Sequence, residues 1–319
     1  MTASEIKRTQ EECIKCDACK KNCDFLAKYD MNLLDFCSRE DLRYSCFLCD
    51  RCKKVCPKDL SGRDIALEMR RENLKGTFAT EFMKNNYKLK NNSKKPSKTL
   101  LFLGCNYPGF LPETCEKMIQ ICEERGVDFS VDCCKKPVEE MGANPKMKYI
   151  DKLFRDKGVE RLICCCPNCY HFLKNRYDDI EIIDPYEYLI EIGVGDKITE
   201  EANVFFPCSE RFDTPIFDNI KKFAEKTKTA TFRKINCCGM GGGAVKHEGD
   251  LVKASHEKVV EIDADNMYTY CSTCAGVFEK SGVKNVKNFL SEIIGVHEKP
   301  SADYAKNVLK IKWRRHNVR

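Results

Sequence analysis

FRKINCC (Phe232–Cys238) ends in two adjacent thiols, and so does DFSVDCC (Asp128–Cys134); the pairs close at 238 and 134, a spacing of 104 residues. The likeness extends outward on both sides. TLLFLGC ends at Cys105 and ANVFFPC at Cys208, while ERLICCC ends at Cys166 and DNMYTYC at Cys271. Each of the last two continues as C-x2-C, through Cys169 and Cys274, and YLIEIGV (188–194) is answered by FLSEIIGV (289–296). A fixed period of this kind marks one structural unit written twice.

Each short apolar run reads as a strand and each intervening segment as a helix. PETCEKMIQICEERG puts Cys115, Met118, Ile119 and Cys122 on one stripe and stops at Gly126; DTPIFDNIKKFAEK starts with Pro215 and offers Ile216, Ile220 and Phe223 to a core. Strands alternating with helices predict a mostly parallel sheet in each repeat, covered on both faces. Ligands of such sheets gather at the carboxyl ends of the strands, where all three cysteine groups of each repeat fall. Five thiols per repeat can therefore converge. One tetrahedral zinc would use four and leave one idle, so a multi-iron body suits the pattern better.

NCCGMGGG (Asn236–Gly243) follows the second pair with Gly239, Gly241, Gly242 and Gly243. Glycine permits positive φ and a close backbone approach, so these four are expected to line a bulky inorganic core. The spacing also fits a dinucleotide fingerprint in outline, but the two thiols at its mouth would occupy the space of the pyrophosphate. The first repeat has Lys135, Lys136 and Pro137 instead. These lysines, with Lys246 and His247, either bind acidic ends of a substrate or are solvated. Cys164 reads as buried in its strand, and Cys165 as a competitor for a ligand position.

The first ninety residues carry two further runs: Cys13-x2-Cys16-x2-Cys19-x3-Cys23, and Cys46-x2-Cys49-x2-Cys52-x3-Cys56 before Pro57. This spacing fits two 4Fe–4S cubanes, three close cysteines holding one cluster and the fourth crossing to the other. Cys13, Cys16, Cys19 and Cys56 are thus assigned to one cubane, and Cys46, Cys49, Cys52 and Cys23 to the second. Between the runs, Phe25, Leu26, Tyr29, Leu33 and Phe36 recur at helical spacing. After them SGRDIALEM begins with a serine cap and carries Ile65, Ala66 and Met69. The segment is expected to be an α-helical ferredoxin-like domain, with Cys37 a core thiol and NNSKKPSK (91–98) a linker.

With 319 residues and 23 cysteines, the chain is too long for a disulfide-stapled mini-protein, and its polar start MTASEIKRTQ gives no export signal. A cytoplasmic, metal-ligating protein is expected. The formal charge of +6 counts every thiol as neutral; two cubanes of about −2 each bring it to about +2. Basic residues are scattered apart from the tail KIKWRRHNVR, so nucleic acid is not an expected partner. Trp313, Arg314 and Arg315 of that tail either dock a partner or an anionic membrane surface, or are solvated.

The pattern C…CC(G)…C-x2-C resembles the cysteine-rich CCG domain of heterodisulfide reductase catalytic subunits. That domain recurs in iron–sulfur subunits of anaerobic glycerol-3-phosphate dehydrogenase, glycolate oxidase and lactate-utilisation systems. The whole chain resembles the single-chain form, which implies three domains: 1–95 ferredoxin-like, 99–200 the first CCG domain, and 201–319 the second with the basic tail. By position, the resemblance implies one non-cubane 4Fe–4S cluster on Cys105, Cys133, Cys134, Cys166 and Cys169. It implies another on Cys208, Cys237, Cys238, Cys271 and Cys274, so the protein would hold one or two. It further implies an oxygen-sensitive oxidoreductase with no flavin of its own. Such a protein takes electrons from a flavoprotein or other donating subunit and reduces a disulfide at the CCG domains. The alternative is an electron-relay subunit of a flavin-linked dehydrogenase, peripheral to a membrane through its partner.

Overall fold

The computed structural model describes residues 4–74, 93–301 and 303–314, which leaves Asn91 and Asn92 of the linker and Arg315–Arg319 of the tail outside the described residues. The chain divides into two compact units. One comprises Met1–Lys84, Pro137–Pro145 and Lys234–Glu261; the other Asn85–Lys136, Lys146–Arg233 and Ile262–Arg319. The units do not follow the three sequence segments, because the stretch after the first cysteine pair and the stretch that carries the second pair group with the N-terminal residues.

The first unit is helical. The expected helix between the cysteine runs is two short ones, Asp24–Lys28 and Leu33–Phe36, the second started by a capping box between Asn32 and Asp35. Phe25, Leu26, Leu33 and Phe36 are buried, and Cys37 is a core thiol whose Sγ donates to Leu33 O at 3.3 Å. Ser61 caps the helix Gly62–Glu72 by accepting from Asp64 N, and that helix buries Ile65, Ala66 and Met69.

The second unit is α/β with small parallel sheets. Strands β1 (Thr99–Phe102), β2 (Asp128–Ser130), β3 (Arg161–Cys164) and β4 (Glu181–Ile183) pair in the order β2-β1-β3-β4. All three pairings are parallel, with Leu101 opposite both Phe129 and Ile163, and Ile163 opposite Ile183. Strands β5 (Ala202–Asn203) and β6 (Thr227–Lys228) pair in parallel, as do β7 (Met267–Thr269) and β8 (Val286–Asn288). A single parallel bridge, Val204 to Tyr268, links the two pairs, so the later strands run in the relative order β6-β5-β7-β8.

One expected strand is absent among the described residues. Phe232–Cys238 forms turns and coil, and Thr227–Lys228 takes the place beside β5. The reason lies in Arg233 and Lys234: two consecutive exposed charges break the period-two alternation a covered strand needs. The helix Pro112–Glu123 buries Cys115, Met118, Ile119 and Cys122, and the chain turns at Gly126 with φ of 73°. Its counterpart Pro215–Ile220 is shorter than the sequence suggested, Phe223 being buried beyond its end. Among the described residues no helix is long and apolar enough to cross a membrane.

Candidate metal centres

The two N-terminal cysteine runs adopt the same loop. Lys15 and Asp17 have φ of 54° and 57°; at the matching positions Leu48 and Asp50 have 54° and 55°. A left-handed residue other than glycine costs roughly 1–2 kcal/mol, so strain placed identically in two loops points to a shared task. Asp17 and Asp50 lead into the helices Ala18–Lys21 and Arg51–Val55, which carry Cys19 and Cys52 inward. Cys13, Cys16, Cys19 and Cys56 line one small cavity together with Ile14, Leu33 and Leu60.

Cys23, Cys46, Cys49 and Cys52 form the other group. Cys52 lies within charge range of Cys23, Cys46 and Cys49, and Cys23 within range of Cys49 and Cys46. Burial pushes the thiols of Cys23, Cys46 and Cys52 up, Cys46 to about 12. Sulfurs in such surroundings ionise only when a nearby cation compensates, which is what an iron core provides. Gly62 N already donates to Cys52 Sγ at 3.3 Å.

The glycine loop belongs to this same unit. Cys237 lines a small recess with Cys23, Cys49, Phe25, Phe47 and Asn236. Gly239, at φ of 85°, points its N–H at Cys237 Sγ, 3.3 Å away. Cys238 O lies 3.0 Å from His256 Nε2. Gly241 and Gly242 face protein: a Cβ on Gly241 would lie 2.3 Å from Phe47 O, and one on Gly242 2.9 Å from Cys46 O. The space those glycines free is taken by the main chain of the 46–48 loop. Lys246 and His247 are exposed, His247 stacking on Tyr44.

In the second unit six thiols form a continuous chain. Cys134 takes hydrogen bonds from Cys133 and Cys169, which hold it down to about 5 against the effect of burial. Cys271 takes bonds from Cys166 and Cys274 and is held well below the usual thiol range. A bond between Cys169 and Cys166 joins the two groups. Each of these two sulfurs is thus flanked by two thiol donors. Cys105 packs on Cys133 with Val308, and Cys208 opens the turn Cys208–Glu210. Lys135 N lies 3.4 Å from Cys133 Sγ with φ of 73°, the geometry Gly239 has beside Cys237. The lysine therefore fills the glycine position at a backbone cost, and its side chain is 4% exposed.

A family model described as the CCG cysteine-rich domain matches residues 202–279. Over that stretch the chain is similar to a CCG domain. The match takes in Cys208, Cys237, Cys238, Cys271 and Cys274, and domains of this type occur in iron–sulfur oxidoreductases. No curated protein matches the chain.

The donors brought together are cysteine sulfurs, the ligand type that iron–sulfur clusters use. Cys164 lies within charge range of Cys165, Cys134 and Cys166, and Cys165 within range of Cys122 and Cys166. Sequence reasoning missed Tyr304, whose hydroxyl lies 3.1 Å from Cys105 O and 2.8 Å from Asn106 Oδ1. Burial first, then the charges of Cys105, Cys133 and Cys166, hold that phenol far up, so it stays a proton donor beside the sulfurs. A tyrosine near the end of a chain carries no signal of such a place.

Proposed function

We propose that the protein is an iron–sulfur oxidoreductase subunit of the heterodisulfide reductase type. It takes electrons from a flavoprotein partner through two cubanes and reduces a disulfide or related thiol-type substrate. The observation that carries this reading is the chain of six thiols from Cys133 to Cys274. In this reading Cys105, Cys133, Cys134, Cys166 and Cys169 hold one non-cubane cluster; the second, on Cys208, Cys237, Cys238, Cys271 and Cys274, follows from the resemblance. When bound, such clusters would supply single electrons and iron sites for sulfur, so that a disulfide and two electrons give two thiolates. The protein's own part is to keep the ligand sulfurs ionised. Lys135 N and Gly239 N donate to Cys133 and Cys237.

A direction for the electrons is supported within the first unit. Of the 23 free cysteines, Cys16 is the exposed one. Beside it Ile14 is 58% exposed, with exposed Lys15 and Lys58 on the same cavity wall. A donor protein can approach there, and Cys237 shares its recess with Cys23 and Cys49 of the other group. We place electron arrival at the Cys13–Cys56 group and departure at the Cys23–Cys52 group.

Burial favours the relay alternative on one point. Cys133, Cys134, Cys166, Cys169 and Cys271 are each at most 5% exposed, so a substrate must find a way in. Turnover decides between the two. Anaerobic protein reduced at an electrode is offered a panel of mixed disulfides. Consumption that disappears in Cys134→Ala, with both cubane spectra kept, supports the reductase; no consumption across the panel leaves the relay.

A further inference from the structure

Arg70 is the largest fully buried side chain among the described residues, with no exposed surface. It stands in the last turn of the helix Gly62–Glu72, where an arginine ordinarily reaches water. Its guanidinium instead bonds four main-chain carbonyls: Arg43 O at 2.7 Å, Glu140 O at 2.6 Å, Gly242 O at 3.1 Å and Cys46 O at 3.0 Å. The Tyr44 ring covers it, 4.9 Å from Cζ, and Tyr44 donates to Met141 O. Gly142 passes so close that a Cβ there would lie 2.6 Å from the Arg70 carbonyl group.

Two consequences follow. One side chain ties the Cys46 loop to the stretch after the first cysteine pair, 137–145, and to the one that carries the second pair, 234–261. It also sets a full positive charge beside Cys46 with only carbonyl oxygens in its hydrogen-bonding shell. The charged groups acting on it are Cys46, Glu140 and Arg43, with Tyr44, and the last two charges of the triad oppose each other in sign. The Cys13–Cys56 group has a different neighbour. Arg8 bonds Lys58 O next to Cys56, but it is salt-bridged to Glu5 at 3.3 Å and Glu12 at 3.4 Å, and is partly exposed. Its charge is neutralised and screened.

We infer that Arg70 is a positioning residue. It fixes the Cys46 loop and raises the reduction potential of the centre on Cys23, Cys46, Cys49 and Cys52 above that of the centre on Cys13, Cys16, Cys19 and Cys56. Reduction adds a negative charge, and a buried cation stabilises it; at about 10 Å and an effective dielectric of about 20 the effect is roughly tenfold on the equilibrium. Electrons arriving at the exposed group then run downhill to the one beside Cys237. The inference rests on the two-cubane reading proposed above.

The test is an EPR-monitored redox titration of anaerobic full-length protein as wild type, Arg70→Gln and Arg70→Lys. Arg70→Gln is expected to lower the second cubane's one-electron equilibrium about tenfold, near 59 mV, and leave the first unchanged. Arg70→Lys keeps the charge and is expected to stay within about threefold of wild type, a rescue that a merely structural role would not give. A Gln variant at the wild-type potential overturns the inference. So does a Lys variant that falls the full tenfold, and this second arm decides the matter if the Gln variant loses its cluster. Wild-type protein without two cubane signals and their acid-labile sulfide overturns the cubane reading itself, a separate and recognisable outcome.

Discussion

Cys166 and Cys271 share a thiol hydrogen bond, and through it the first C-x2-C meets the second. The two sulfur sets of the second unit are therefore in hydrogen-bond contact. Cys271→Ala should leave both cubane spectra intact and cut disulfide turnover by about a hundredfold or more, as loss of a metal-site residue does. Anaerobic steady-state rates beside EPR spectra check it.

Cys56 lines the same cavity as Cys13, Cys16 and Cys19, while Cys23 stands with Cys46, Cys49 and Cys52. Each run thus lends its fourth sulfur to the other. Cys56→Ala is expected to remove the first cubane and spare the second, and Cys23→Ala the reverse, each losing about four irons per chain. Iron and sulfide analysis with EPR separates this crossed arrangement from an uncrossed one, in which the two variants would exchange phenotypes.

Gly241→Ala would force a methyl group to within 2.3 Å of Phe47 O, a main-chain atom that cannot turn aside. A loss of about 1–3 kcal/mol is expected, with faster bleaching of the second cubane in air. Gly249→Ala is the control, since nothing lies within 4 Å of a Cβ there, and it should be close to neutral. Denaturant unfolding and the time course of bleaching give the comparison.

The loops of the two cysteine runs were legible in the sequence because they are written in local spacing. The x2-x2-x3 runs dictate loops that repeat their backbone angles residue for residue, Lys15 with Leu48 and Asp17 with Asp50. The strands β1 to β3 followed from short apolar runs for the same reason. What stayed hidden depends on contacts between distant stretches. Gly241 and Gly242 read as room for an inorganic core, yet their neighbours are Phe47 and Cys46. Lys135 read as a surface lysine or a substrate contact, and it is buried. Arg70 gave no signal, because an arginine ending an amphipathic helix is ordinary until three other loops close over it.

Asp184 caps the helix Pro185–Glu191, accepting from Tyr186 N and Glu187 N, with Asn219 on its other oxygen. Burial raises its carboxyl to about 6. The unfolded chain releases that proton near pH 4, so between about pH 4 and 6 the folded state binds more protons. Stability from this group therefore falls as pH rises through that window and is flat above it. Relative to Asp184→Asn, wild type should gain about 1 kcal/mol on going from pH 7 to pH 5. Urea unfolding at the two values reads the difference, and parallel curves would refute it.

Lys15 and Lys58 flank exposed Ile14 at the cavity of Cys16, a basic rim round an apolar point. Such a rim suits an electron carrier with an acidic face. Charge reversal to Lys15→Glu with Lys58→Glu should slow reduction by an acidic one-electron carrier protein about tenfold or more at low salt. The effect should fade at high ionic strength, and reduction by a small neutral reagent should not change. Stopped-flow traces across a salt series provide the check.

The central claim is that the sulfurs of the second unit enclose iron. Iron-edge anomalous diffraction from anaerobically purified crystals tests it directly. The account predicts a multi-iron peak touching Cys134, Cys166 and Cys169, beside one within the cavity of Cys13, Cys16, Cys19 and Cys56 and one among Cys23, Cys46, Cys49 and Cys52. Iron peaks at the N-terminal sites with none beside Cys134 would contradict it.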